Sequence, residues 1–183
     1  MVNNVSEPNK LPNLIEALLF ASEEPLSLQQ LAKLANHAEN EISTAIKQLG
    51  QRLDKESALF VREIAGGFRL ETRSEFYEDI REMFIDKRAS KLSMAALETL
   101  ALVAYKQPIT AIEVAELRMV TSVNAIIRNL LEKKLIKPAG RKKVIGRPMM
   151  YATTKEFLIH FGLNKLLDLP SLDDFQEKLK END

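Results

Sequence analysis

Apolar residues recur at helical spacing from the start of the first hydrophobic stretch. Leu11, Leu14, Ile15, Leu18 and Leu19 are separated by steps of three, one, three and one, which predicts an amphipathic helix beginning at Leu11. The helix should stop near Ser22, because Glu23-Glu24-Pro25 continues it poorly and a residue before proline is pushed out of the α region. Ser27 then reads as an N-cap, with Gln30 completing a capping box ahead of Leu31, Ala32 and Leu34. A third helix, over about 39–52, places Ile42, Ala45, Ile46 and Leu49 on one side. Two short strands follow, 59–64 and 67–72, and Ala65-Gly66-Gly67 between them supplies the positive φ of a tight hairpin. Three helices and then a two-stranded hairpin is the order of a winged helix-turn-helix.

Ser74 predicts a further helix to about 84, and 86–91 reads as a basic connector. The arrangement then repeats. A helix over 92–105, with Ser93 as candidate cap, carries Leu97, Leu100, Ala101 and Ala104 on one face, and Gln107-Pro108 breaks it. Thr110 caps a short helix to Arg118 with Glu113 at the capping-box position, and Ser122 is the candidate cap of a third helix bearing Val123, Ile126, Ile127 and Leu130. A hairpin between 136 and 153 closes the unit. Glu24-Pro25-Leu26-Ser27 matches Gln107-Pro108-Ile109-Thr110 at an offset of 83, and Ile42, Ala45, Ile46 and Leu49 match Val123, Ile126, Ile127 and Leu130 at an offset of 81. The pattern therefore predicts a mainly α chain with small β-hairpin wings, an α+β fold of two tandem winged-helix domains. Residues 1–10 are expected to be a flexible N-terminus, 11–88 and 89–167 the two domains, and 168–183 a flexible acidic tail.

Composition changes this picture mainly through charge. The net charge is zero, yet residues 1–90 carry 11 Lys+Arg and 15 Asp+Glu, 91–167 carry 13 and 5, and 168–183 carry 2 and 6. The balances are −4, +8 and −4, so the second domain suits an anionic partner. No apolar run approaches the roughly 20 residues that span a bilayer, and the first ten residues lack the pattern of a signal peptide. The chain has no cysteine, which removes thiol nucleophiles, thiolate metal sites and disulfides together. A cytoplasmic location and no membrane partner are the expectation.

The candidate chemistry is that of binding. His37 and His160 are too few and too far apart in sequence for a metal or His-based catalytic cluster, and no phosphate-cradling loop or nucleophile elbow occurs. No catalytic residue, metal ligand or cofactor is assigned, and the chain is not expected to be an enzyme. Glu39 and Glu41 at the start of the third helix disfavour DNA reading by the first domain. In the second, Asn124, Arg128 and Asn129 are followed by Lys133, Lys134 and Lys137, and the hairpin adds Arg141, Lys142, Lys143 and Arg147. Such a face could neutralise phosphates, dock on an acidic protein segment, or simply be solvated. Met94, Met119, Met149 and Met150 suit either adaptable contact or core. Phe76, Tyr77, Met83, Phe84 and Ile85 exceed what one buried stripe needs, which fits a dimer surface or packing between the domains.

Longer motifs then narrow the reading. Lys91-Leu92-Ser93, Ala95-Ala96-Leu97-Glu98-Thr99-Leu100 and Ala104-Tyr105-Lys106-Gln107-Pro108-Ile109-Thr110 resemble the segregation and condensation protein B family. So do Gly140 to Pro148, Tyr151 to Leu158 and Phe161-Gly162-Leu163, and more loosely Glu16 to Ala21 and Gly67-Phe68-Arg69-Leu70. The similarity covers about 11–170. It departs at Met119, where the family usually shows a glycine, so backbone freedom is lost at that turn.

The resemblance implies a non-enzymatic homodimer, paired through its first winged helix, whose second winged helix binds the kleisin subunit, segregation and condensation protein A. The kleisin bridges the ATPase heads of the SMC protein in a condensin-like complex for chromosome condensation and partition during cell division. Contact with DNA would be indirect or weak, and the location nucleoid-associated. Tyr105, Lys106, Gln107, Pro108, Arg118, Arg141 and Arg147 are the candidate partner contacts, the guanidinium forks suiting carboxylates or phosphates. Phe76, Tyr77, Met83 and Phe84 are the candidate dimerisation residues. The acidic tail is expected to screen the basic face until a partner arrives. The rival function is a tandem winged-helix DNA-binding transcriptional regulator.

Overall fold

The computed structural model describes residues 10–83 and 92–171. It is a mixed α and β chain that divides into two compact units, Met1–Arg88 and Ala89–Asp183. Residues 1–9 of the expected N-terminal arm and 172–183 of the expected tail lie outside the described residues, whereas Lys10 starts the first helix and Leu166–Asp168 form a 3-10 turn.

The first unit contains α1 (Lys10–Ala21), α2 (Leu28–Ala35) and α3 (Glu39–Glu56), then the hairpin β1 (Leu59–Ile64) and β2 (Gly67–Thr72). Ser27 caps α2 through the expected box: its hydroxyl accepts the Gln30 N–H, and the Gln30 side chain accepts the Ser27 N–H at 2.8 Å. At the start of α3 there is no side-chain cap on Ala38; instead Glu41 reaches back and accepts the Ala38 N–H at 3.0 Å. The helix runs to Glu56, a turn beyond the expected end, because Leu53 lies four residues after Leu49 and is buried beneath the same face. Arg73 then closes it, donating to the Leu53 and Ser57 carbonyls and to Asp54.

Ile15 and Leu19 from α1, Leu31 and Ala35 from α2, and Ile42, Ala45, Ile46, Leu49 and Leu53 from α3 make the core, with Val61, Phe68 and Leu70 packed against it. The hairpin turn places Ala65 at φ 51° and Gly66 at φ 74°, and Ile64 pairs with Gly67 across it. Gly67 is needed for a second reason. A Cβ there would lie 2.9 Å from the Leu26 carbonyl carbon, since Leu26 pairs with Phe68 through two backbone hydrogen bonds. The helix expected from Ser74 is broken in two, a 3-10 turn Ser74–Phe76 and the short α4 (Tyr77–Glu82), with no side-chain cap on either.

The second unit repeats the order: α5 (Met94–Lys106), a short β3 (Ile109–Thr110), α6 (Ala111–Leu117), α7 (Asn124–Glu132), then β4 (Ile136–Arg141) and β5 (Met149–Thr153). An additional helix, α8 (Lys155–Phe161), follows. Ser93 caps α5, and Thr110 with Glu113 forms the capping box of α6. In this unit β3 pairs with β5, so the sheet is three-stranded in the order β3-β5-β4. The Leu26–Phe68 bridge of the first unit is its counterpart, and Leu26 and Ile109 are the residues that the offset of 83 brings together.

Ser122 does not cap α7 as expected. Its hydroxyl accepts the Asn124 N–H at 3.3 Å, while the buried Val123 occupies the cap position, so core packing decides where the helix begins. The core is built from Leu100, Val103 and Ala104 of α5, Val114 of α6, Ile127 and Leu130 of α7, Ile136 and Phe157, joined by Ile109, Val123 and Leu135. Among the described residues of this unit, left-handed residues follow three helices, Met119 after α6, Lys134 after α7 and Gly162 after α8, and Gly146 and Arg147 turn the hairpin.

Candidate functional site

The second unit concentrates the charged candidates around α6 and its hairpin. Thr110 and Glu113 begin α6, and the Glu113 carboxylate accepts the Thr110 N–H at 3.0 Å and its hydroxyl at 2.8 Å. Lys142, from the β4–β5 connection, donates to the same carboxylate at 2.5 Å. The ammonium and the Thr110 donors together hold the Glu113 carboxyl down at about 2, from the ordinary 4.5. The pair ties the hairpin loop to the start of α6. Nearby, Arg141 donates to the Arg147 carbonyl at 3.1 Å, and Arg147 itself stands at φ 41° in the turn. Both arginines are exposed, and this bond shapes the loop that carries them.

The Tyr105–Pro108 corner is held from within. Gln107 accepts the Thr153 N–H at 2.7 Å and donates to the Ala104 carbonyl at 3.0 Å, stitching the end of α5 to β5. The Tyr105 hydroxyl donates to the Pro170 carbonyl at 2.7 Å. Lys106 and Pro108 are the exposed members of the corner. Arg118 is more committed still. It donates to the Thr99 hydroxyl at 2.9 Å and to Glu98 at 2.7 Å, its side chain is only 11% exposed, and its buried Nε has no partner among the described residues. The fork that was expected to reach a partner joins α6 to α5.

Exposed apolar groups are the second feature. Among the candidate dimerisation residues, Phe76, Tyr77 and Met83 are 36%, 61% and 76% exposed, and Phe84 lies outside the described residues. The periodic pattern missed three others in the same unit: Leu14 and Phe20 on α1 and Leu34 on α2. Helical spacing counted Leu14 and Leu34 with the core, because it cannot separate the inner edge of an apolar stripe from the outer. In the second unit Met94 and Leu97 on α5, Ile112 on α6, Met119 at its end and Ile145 at the hairpin tip are exposed. Met149 and Met150 are half-buried in β5.

Among the described residues no group of three or more His, Cys, Asp or Glu is arranged to hold a metal ion. His37 contacts Glu41 at 3.3 Å and His160 sits edge-on to Phe161 with ring centroids 5.0 Å apart. No helix among the described residues is long and apolar enough to cross a membrane.

Comparison with known proteins adds to this geometry. The family model described as segregation and condensation complex subunit ScpB matches residues 13–172. A segregation and condensation protein B from Syntrophotalea carbinolica is 41% identical over 175 residues, covering 95% of this chain and 88% of that one. Another, from Clostridium perfringens, is 38% identical over 183 residues, covering 99% and 93%. A crystal structure of a dimer of an ScpB N-terminal domain complexed with an ScpA peptide is 32% identical, covering 39% of this chain and 91% of that one with a TM-score of 0.38.

Proposed function

The chain belongs to the segregation and condensation complex subunit ScpB family, and on that premise we propose that it works as a non-enzymatic, homodimeric clamp for a kleisin in a condensin-like complex. Each unit is a winged helix in this reading: three helices, with β1–β2 or β4–β5 as the wing. The first unit dimerises through the exposed Phe76, Tyr77 and Met83, together with Phe84. The second grips the kleisin, segregation and condensation protein A, and through it the SMC heads. The setting is chromosome condensation and partition during cell division, in the cytoplasm at the nucleoid.

The observation that carries this reading is the unlike charge of the two units, a balance of −4 over residues 1–90 against +8 over 91–167. Both units expose large apolar groups, and those on the first, Phe76, Tyr77 and Met83 among them, suit a self-complementary contact. The second exposes Arg141 and Arg147 on a hairpin whose loop is already anchored by the Lys142–Glu113 pair, so its geometry is set before a partner binds. Lys106 and Pro108 provide the solvent-facing part of the same proposed contact. Tyr105, Gln107 and Arg118, engaged with Pro170, Thr153 and Thr99, act by holding that surface in shape.

Titration calorimetry with the kleisin of the same organism tests the assignment. Replacing Arg141 and Arg147 by glutamate should weaken binding at least about tenfold, with the loss largest at low salt. Unchanged affinity would remove the charged hairpin from the proposed contact.

A further inference from the structure

The outward face of α7 is not used by the kleisin reading. Its exposed residues are Asn124, Ala125, Arg128, Asn129 and Glu132, while Ile127 and Leu130 point into the core. Asn124, Arg128 and Glu132 follow one another at i,i+4, as do Ala125 and Asn129, so they line one side of the helix, with its one carboxylate at the C-terminal end. The side-chain types are those that read base edges. Asn pairs with adenine, and a small apolar group fits against the thymine methyl. From 124 to 148 the chain carries eight Lys and Arg and one acidic residue, Glu132. Lys142 of that set is held by Glu113, and Arg141 by the Arg147 carbonyl. Arg128, Lys134, Lys137 and Lys143 are exposed and stand in none of the ion pairs of this unit among the described residues.

The corresponding helix of the first unit presents the opposite chemistry. Glu39 and Glu41 are exposed in the first turn of α3, where they would face phosphates. Thus the two units share an order of elements, and only the second has the surface that order can lay against a nucleic acid.

We propose that α7 and the adjoining hairpin form a binding surface for duplex DNA. The helix enters the major groove with Asn124, Ala125 and Asn129 toward base edges, and Arg128, Lys134, Lys137 and Lys143 contact phosphates on either side. The inference rests on reading the second unit as a winged helix, in which the third helix and the wing are the DNA-facing elements. An acidic protein segment would be attracted by the same charges, but it would have no use for the strip of Asn and Ala on α7.

Fluorescence anisotropy of the full-length chain with a labelled duplex of about 20 base pairs, at salt concentrations between about 50 and 200 mM, tests this. Four neutralised phosphates correspond to a slope of log K against log salt of about −3 to −4. The double variant Arg128→Ala, Lys143→Ala should reduce that slope by about 2 and weaken binding about 10- to 100-fold near 100 mM salt. Lys33→Ala, Lys47→Ala, which removes two exposed lysines from the first unit, should leave both quantities unchanged. Circular dichroism confirms that the variants remain folded.

Three results would each overturn the proposal: no duplex binding by the unaltered chain at about 50 mM salt, equal losses in the two variants, or displacement of the duplex by polyglutamate at equal charge concentration. A chain that binds kleisin and ignores DNA overturns this inference alone. A chain that binds DNA through Arg128 and Lys143 and ignores kleisin leaves it standing and overturns the proposed complex.

Discussion

At the scale of single residues, backbone conformation does more than side-chain identity would suggest. Met119 ends α6 at φ 53°, with its N–H on the Glu116 carbonyl and the Val120 N–H on the Ala115 carbonyl, each at 3.0 Å. This is the Schellman arrangement, whose left-handed position glycine fills without a Cβ penalty. The side chain is 95% exposed, so little packing is lost on its removal. Met119→Gly should therefore stabilise the unit by about 1 kcal/mol, read as a higher midpoint in urea. Gly67→Ala is expected to do the reverse. Its Cβ would meet the backbone of Leu26 and Pro25, and the strain should cost about 1–3 kcal/mol in the same measurement.

Glu113 gives a prediction in pH. Its folded value of about 2 lies below the ordinary 4.5, so the stability it contributes is complete above about 4.5 and is lost as pH falls toward 2. Lys142→Met removes the largest contributor. The Glu113 carboxyl should then titrate closer to 4.5 by carbon-detected NMR, and the variant should lose less stability than the parent between those pH values. A Glu113 titration that ignores the substitution would mean that Thr110 alone holds the carboxylate.

At the scale of elements, what could be read in the sequence was what is local. Ser27 with Gln30 and Thr110 with Glu113 are capping boxes in sequence and in structure, since the partners lie three residues apart on one turn. Thr110→Val keeps the shape of a buried side chain and removes the hydroxyl that the Glu113 N–H and carboxylate both use; about 1 kcal/mol should be lost in thermal unfolding. The positive φ expected around Ala65-Gly66-Gly67 was likewise legible, as was the cost of a non-glycine residue at Met119. What failed depends on tertiary packing. Ser122 looked like a cap, but burying Val123 moves the start of α7 past it. Leu14 and Leu34 had the spacing of core residues and lie outside it. Among the charged candidates, Arg118 could not be distinguished from Arg141 by residue type. Only Thr99, buried beneath α6, determines that one turns inward.

At the scale of the whole molecule, the repeat read from offsets of 83 and 81 corresponds to two units with the same order of elements and unlike surfaces. Both carry exposed large apolar groups, but the first is net acidic and the second carries an excess of positive charge around α7 and the β4–β5 hairpin. Periodicity finds the shared elements because both cores need apolar residues at the same steps. It does not find the difference in use, which lies in exposed positions that the core leaves unconstrained. The most direct test of the account is size-exclusion chromatography with light scattering on the full chain, alone and mixed with the kleisin of its own organism. The protein alone should show twice the chain mass, form a stable heavier complex on mixing, and lose the dimer in Phe76→Ser, Tyr77→Ser, Met83→Ser. A monomer that leaves the kleisin peak unmoved would contradict it.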